Sequence, residues 1–183
     1  MATIGVGGKP ETAVSDNAGH IFVNVEDKNE IVKIDAVNLK VLAHWSILPV
    51  EEPTGLAIDL NNKRLFAAGD EKMVVINYEN GQIITTLPIG EGCDGLVYDK
   101  NKKLIFTSNG SGTLSVIRQS DANKYVLLET VSTQKSARTI ALDENTGLVY
   151  LPAAQFEAPV VGAANKRTPM VPGTFKVIVV GKK

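Results

Sequence analysis

One pattern of residues returns four times along the chain. Its first part reads Glu11-Thr-Ala-Val-Ser-Asp16, Thr54-Gly-Leu-Ala-Ile-Asp59, Asp94-Gly-Leu-Val-Tyr-Asp99 and Arg138-Thr-Ile-Ala-Leu-Asp143, with the closing aspartates 43, 40 and 44 residues apart. A second part follows each within a few residues, carrying an aromatic at Phe22, Phe66, Phe106 and Tyr150 with spacings of 44, 40 and 44. A third part is Ile31-Val-Lys-Ile34, Met73-Val-Val-Ile76, Leu114-Ser-Val-Ile117 and Phe175-Lys-Val-Ile178. A fourth occurs three times, at Val41–Ile47, Ile83–Ile89 and Val126–Val131. The segments are short and β-branched, and Asn-, Asp- and Gly-rich turns separate them, which is the signature of strands. Four strands in about 40–45 residues is the period of a propeller blade, a sheet that cannot bury both faces alone and therefore stacks on its neighbours. The expected fold is all-β, with four antiparallel four-stranded blades at about 8–47, 53–89, 94–133 and 137–180.

The last unit stops after its third strand, and the start of the chain offers a fourth. Thr3-Ile-Gly-Val-Gly7 aligns with Thr86-Leu-Pro-Ile-Gly90, the closing strand of the second unit. Residues 2–6 are thus expected to pair with Phe175–Val180, completing the last blade and covering an adhesive edge. Within one chain this closes a four-bladed ring; between two chains it closes an eight-bladed one.

Composition narrows the functions. The 183 residues are 44% hydrophobic and 21% charged, a globular balance. The net charge of −1 argues against a nucleic-acid surface, which carries a basic excess. Apolar runs are too short to span a bilayer as a helix, and no signal-peptide pattern opens the chain, since Lys9 comes late and no apolar run flanks it. The one cysteine, Cys93, excludes an internal disulfide.

The opening Gly7-Gly-Lys-Pro10, the apolar segments ending in Asp and the blade ending Leu87-Pro-Ile-Gly90 resemble the YVTN-type β-propeller repeat of the YncE-like family, over nearly the whole chain. The stretch from Ala137 to Val180 resembles the C-terminal blade of such proteins. Members typically have about seven blades and a signal peptide, so the resemblance implies a C-terminal half or a short relative, and a periplasmic or secreted location. It also implies that the first strand of each blade lines a central channel. Glu11, Thr54, Asp94 and Arg138 would then ring one channel mouth and form a candidate site for a small polar ligand, a peptide or a protein partner, or else a solvated rim whose charges pair with one another.

Other motifs point away from chemistry. The aspartates at 16, 59, 99 and 143 precede tight turns, where a carboxylate accepts backbone N–H bonds and fixes the turn. Gly90-Glu-Gly-Cys-Asp-Gly95 matches a phosphate-binding spelling but leads into a strand, where that motif needs a helix. His20, His44 and Cys93 lack metal-ligand spacing, and no nucleophile elbow or Ser/His/Asp set is present. No cofactor is expected. The segment Gln155–Gly173, containing Pro159, Pro169 and Pro172, replaces a loop of about five residues and is expected on the channel-mouth face, as a lid, a partner contact or a plain surface loop. Three functions remain: a non-enzymatic binding or scaffold propeller, a metal-dependent lactonase-like hydrolase using Glu11 and Asp94, and a partial propeller that self-associates as a homodimer.

Overall fold

The computed structural model describes residues 1–158 and 168–181. It is all-β, with fifteen strands in four antiparallel sheets among the described residues. The first sheet holds β1 (Pro10–Ser15), β2 (His20–Val25), β3 (Glu30–Asp35) and β4 (Lys40–Ser46) in that order. The second holds β5 (Gly55–Asp59), β6 (Arg64–Ala68), β7 (Lys72–Asn77) and β8 (Ile83–Pro88). The third holds β9 (Cys93–Asp99), β10 (Leu104–Asn109), β11 (Thr113–Asp121) and β12 (Lys124–Ser132). The fourth has only β13 (Ala141–Asp143), β14 (Leu148–Ala153) and β15 (Lys176–Val180).

Each sheet is a meander because the turn between its first two strands is written into the sequence. Asp16 Oδ1 accepts the N–H groups of Ala18 at 2.8 Å and His20 at 2.9 Å. Asp59 does the same for Asn61 at 3.1 Å, Asp99 for Asn101 at 2.9 Å and Asp143 for Asn145 at 3.0 Å. An aspartate in this place accepts the backbone N–H two residues on and so fixes the four-residue reversal.

The cores lie between the sheets. Phe22 and Ile31 of the first sheet meet Leu65, Ala67, Val74 and Ile76 of the second. Phe66 and Met73 of the second meet Leu96, Ile105 and Ile117 of the third. Phe106 and Leu114 of the third meet Val149 and Leu151 of the fourth. The period-2 alternation of a strand sends the aromatic toward the following sheet and its flanking aliphatics toward the preceding one. Tyr78 and Tyr98 reach back to pack at a tilt on the preceding aromatics, ring centroids 5.3 Å from Phe22 and 5.1 Å from Phe66. The inner strands approach closely near the axis, and glycine permits it: a Cβ on Gly95 would stand 2.7 Å from Ile140 Cγ2.

Three features differ from the sequence expectation. First, the inner strands neighbour one another in the series β1, β5, β9, β13, and no comparable contact joins β13 to β1 among the described residues. The chain is an open arc of sheets, and the four-bladed ring is not formed within it. Second, among the described residues β15 pairs with β14 alone, and residues 1–9 form no strand. Ile4 and Val6 pack instead on the outer face of the first sheet, against Val23, Val25, Val32 and Ile34. Third, the repeat register in the last sheet shifts by two. Val177 opposes Pro152 as Ile31 opposes Asn24, so Val177–Val180, rather than Phe175–Ile178, occupies the place of Ile31–Ile34. Within the long insertion, residues 159–167 lie outside the described residues. Its two stems pair: Glu157 N–H donates to Pro169 O at 2.9 Å and Val171 N–H to Gln155 O at 2.9 Å.

Candidate functional site

The four residues expected at a channel mouth fall into three settings. Asp94 and Arg138 come together across the third and fourth sheets, with Arg138 Nε 3.4 Å from Asp94 Oδ2. Thr54 spends its hydroxyl on a staple between the second and third sheets, donating to Cys93 O at 2.6 Å. Glu11 stays on the first sheet, where Lys9 Nζ lies 3.0 Å from its Oε1 and also binds Glu26. The hydrogen bond from Lys9 holds the Glu11 carboxyl below the usual carboxylate range. Glu11 and Asp94 sit in separate ion pairs on sheets one and three, and the open arc leaves the second sheet between them.

The Asp94–Arg138 pair is partly solvated, with side-chain exposures of 30% and 60%. Such a pair contributes at most about 1 kcal/mol to stability, so both side chains are free to exchange partners at little cost. A backbone rail holds them. Gly110 N–H donates to Gly92 O at 2.7 Å, and Ser136 N–H to Gly110 O at 3.0 Å. The turn at 134–136 is pinned in its place by two side chains that converge on one carbonyl. Gln134 Nε2 reaches Ala154 O at 2.8 Å and Ser136 Oγ reaches it at 2.9 Å. Between this turn and the insertion stems is an open cleft of about 670 Å³, lined among others by Lys135, Glu157 and the exposed Phe156. The sequence signalled the insertion but not the 134–136 turn, whose residues carry no repeat signature.

A second polar cluster escaped the sequence reading. Asp59 lies between the second and third sheets, accepting from Gln119 Nε2 at 2.8 Å and from Asn62 Nδ2 at 2.6 Å. Tyr98 Oη donates to Gln119 Oε1 at 2.5 Å, and Gln119 Nε2 also reaches Tyr125 Oη at 3.2 Å. Burial raises the Asp59 carboxyl, but the hydrogen bonds from Asn62 and Gln119 outweigh it and leave the group below its usual value. Burial pushes the Tyr98 phenol well up, and the Tyr125 phenol up to about 12. These groups hold two blades together, and nothing about them suits proton transfer near neutrality.

The remaining candidates are structural. Burial pushes the Cys93 thiol up to about 12, which removes it as a nucleophile. His20 Nδ1 lies 2.7 Å from Asp16 and His44 Nδ1 3.0 Å from Glu30, in separate pairs. Asn109 is buried, and its amide donates to Thr113 Oγ1 at 3.0 Å and Ser115 Oγ at 3.1 Å. Gly95 leads straight along β9, so no helix end is available for a phosphate. Among the described residues no three His, Cys, Asp or Glu side chains gather as a metal cradle, and no helix is long and apolar enough to cross a membrane.

No family model matches the chain, and no curated protein does. Solved structures match its fold. A chain in a structure of Kuenenia stuttgartiensis hydrazine synthase superposes with a TM-score of 0.71 at 14% identity, over 97% of this chain and 51% of that one. A chain in a mitotic checkpoint complex superposes with a TM-score of 0.72 at 12% identity, over 82% of this chain and 50% of that one. At these identities the likeness is one of fold, and the fold is of the β-propeller type. The chain spans about half the length of the structures it matches.

Proposed function

We propose that this chain is a binding or scaffold module of the β-propeller class, recognising a polar ligand, a peptide or a protein segment at the mouth formed by Asp94, Arg138 and the 134–136 turn. The observation that carries the reading is the partly solvated Arg138–Asp94 pair, hydrogen-bonded through its backbone to the 134–136 turn that lines a cleft of about 670 Å³. A guanidinium with a weak internal partner binds an incoming carboxylate or carbonyl by exchange, while the exposed Phe156 gives the cleft an apolar surface. The YncE-like resemblance stands within this proposal, supported by the 40–44-residue unit and its four-stranded sheets. The hydrolase alternative finds less support, because Glu11 and Asp94 are each engaged by a cation, Lys9 and Arg138.

A peptide library panned on the wild-type chain tests the reading. Selected peptides are expected to lose about tenfold in affinity, about 1.4 kcal/mol, on Arg138→Ala and on Lys135→Ala. Peptides that bind both variants within twofold of wild type place recognition elsewhere and overturn the proposal.

A second reading, self-association of a partial ring, is favoured by the exposed face of the last sheet, whereas on the first sheet Val23 and Val32 are already buried beneath Ile4 and Val6. The last sheet presents Val177 and Val179, which are 50% and 54% exposed.

A further inference from the structure

We propose that the cleft takes an extended peptide, which pairs main chain to main chain with the insertion stem at Phe156 and sets an acidic group against Lys135. The proposal rests on the binding reading above and specifies the chemistry of the partner.

The insertion creates the edge. In the second sheet the turn after the second strand closes on itself, with Gly69 N–H donating to Lys72 O at 3.0 Å. In the last sheet the chain runs on past β14, and Gln155 and Glu157 bond to Val171 and Pro169. Gln155 turns both of its backbone groups to that side. Its C=O accepts from Val171 N–H at 2.9 Å, and its N–H donates to Thr174 Oγ1 at 3.0 Å. Successive residues of an extended chain present their backbone groups to opposite sides. Ala154 accordingly faces the other way, where its C=O accepts from Gln134 Nε2 at 2.8 Å and from Ser136 Oγ at 2.9 Å. Phe156 has the parity of Ala154, and its bridge to Met170 is the non-hydrogen-bonded kind, in which the residue's own N–H and C=O point outward. Both groups therefore face the 134–136 turn, and no partner among the described residues meets them.

That edge borders the cleft. Its volume is about 670 Å³, with Gln134, Lys135 and Ser136 on one wall and Ala154 to Ala158 on the other. The two bonds to Ala154 O tie the walls together, and the space opens beyond them along the stem. From Ala154 to Ala158 the stem extends about 13 Å, at about 3.3 Å per residue, which matches a segment of about four or five residues. A strand laid there completes the Phe156 hydrogen bonds and gives its alternate side chains fixed places, the mode by which an exposed sheet edge receives a peptide. The Phe156 ring, 51% exposed, supplies apolar surface for one of them.

Charge selects the side chain. Lys135 is exposed on the turn wall and makes no ion pair among the described residues. Arg138, whose N–H donates to Ser136 O at 3.0 Å, meets Asp94 through Nε at 3.4 Å, and the terminal N–H groups of its fork have no partner among the described residues. Both cations belong to the turn segment, whereas the acid lining the cleft, Glu157, stands on the stem wall. An acidic group on the peptide is drawn to the turn wall, where Lys135 offers charge-assisted hydrogen bonds and Arg138 adds to the attraction. An Asp or Glu side chain and a peptide's own C-terminal carboxylate supply the same chemistry.

The test titrates the full chain with synthetic peptides of Val and Thr, acetylated and amidated, in which Glu is moved through each position in turn. Matched sets carry Gln or Lys in place of Glu, and one set has no Glu but a free C-terminal carboxylate. The best Glu peptide is expected to bind at least about tenfold tighter than its Gln counterpart, and Lys135→Glu is expected to turn the preference to the Lys peptide. Equal binding by the free-carboxylate set identifies a chain end as the source of the acid. A single N-methyl group is then scanned along the best peptide. It is expected to cost about tenfold at alternate positions and little between them, because a strand offers every second N–H to its neighbour. Absence of either the acid preference or the alternating N-methyl effect overturns the proposal; the binding reading still stands if ligands from the panned library weaken on Arg138→Ala. Library ligands indifferent to Arg138→Ala and Lys135→Ala, with no peptide of the set binding below about 1 mM, overturn both.

Discussion

Replacing Asp59 by alanine should cost the chain far more than the same change at Asp143, although both occupy the same place in the repeat. At Asp143 the carboxylate fixes a turn, accepting from Asn145 N–H at 3.0 Å and Thr146 Oγ1 at 2.8 Å, in solvent. Losing that is worth about 1 kcal/mol. At Asp59 the turn bonds are joined by the 2.8 Å bond from Gln119, whose side chain belongs to the next sheet and is only 2% exposed as a residue. A buried bond to a charged acceptor contributes about 1.5–3 kcal/mol, and its donor is left short of a partner. Asp59→Ala is therefore expected to cost about 3–4 kcal/mol, some 2 kcal/mol more than Asp143→Ala. For a chain of this length, 3 kcal/mol corresponds to roughly 6–12 °C in Tm. Urea titrations followed by Trp45 fluorescence and far-UV circular dichroism read the difference, with coincident transitions securing the free energies. The pH dependence adds a second check. The folded Asp59 carboxyl is depressed below its unfolded value, so its contribution is complete above about pH 4 and is lost as pH falls through the folded value. The gap between wild type and Asp59→Ala should close in that acid window. Equal costs for the two aspartates, within about 0.5 kcal/mol, would refute the idea that the inter-sheet bond stabilises the fold.

Phe66→Ala should cost about 3–5 kcal/mol, because the ring is fully buried and touches Tyr98 and Tyr125 across the sheet boundary; a loss under 1 kcal/mol in the same urea assay would mean the second and third sheets do not share a core. Gly81→Ala should destabilise by more than about 1 kcal/mol, since its φ is +77° and an added Cβ would collide with the Trp45 ring; a shifted native Trp emission should accompany it, and unchanged emission would count against that contact. The Cys93 thiol, buried with its pKa pushed up to about 12, should stay silent to a thiol-disulfide reagent at pH 8 and react on unfolding; prompt native labelling would show that the second and third sheets part locally.

The strands and their turns were legible because both are local. Alternating β-branched residues select the extended backbone, and an aspartate before each reversal supplies its own turn acceptor, as Asp16, Asp59, Asp99 and Asp143 all do. The candidate site was legible only in part. Asp94 and Arg138 meet because adjacent sheets bring equivalent positions side by side, whereas Glu11, two sheets away from Asp94, turned to Lys9. The 134–136 turn was hidden because its role depends on the Ala154 carbonyl, which no spacing in the chain reveals.

The amino-acid order alone determined that this is an array of four similar β-sheets with strand-forming residues ready at both ends, since period and turn chemistry are properties of neighbours along the chain. Whether the array closes was decided in three dimensions. The curvature follows from how the side chains between sheets pack, and that packing leaves β13 away from β1. The same holds for the aspartates, which the repeat makes identical and the adjoining sheet makes different: Asp59 meets Gln119, and Asp143 meets its own turn.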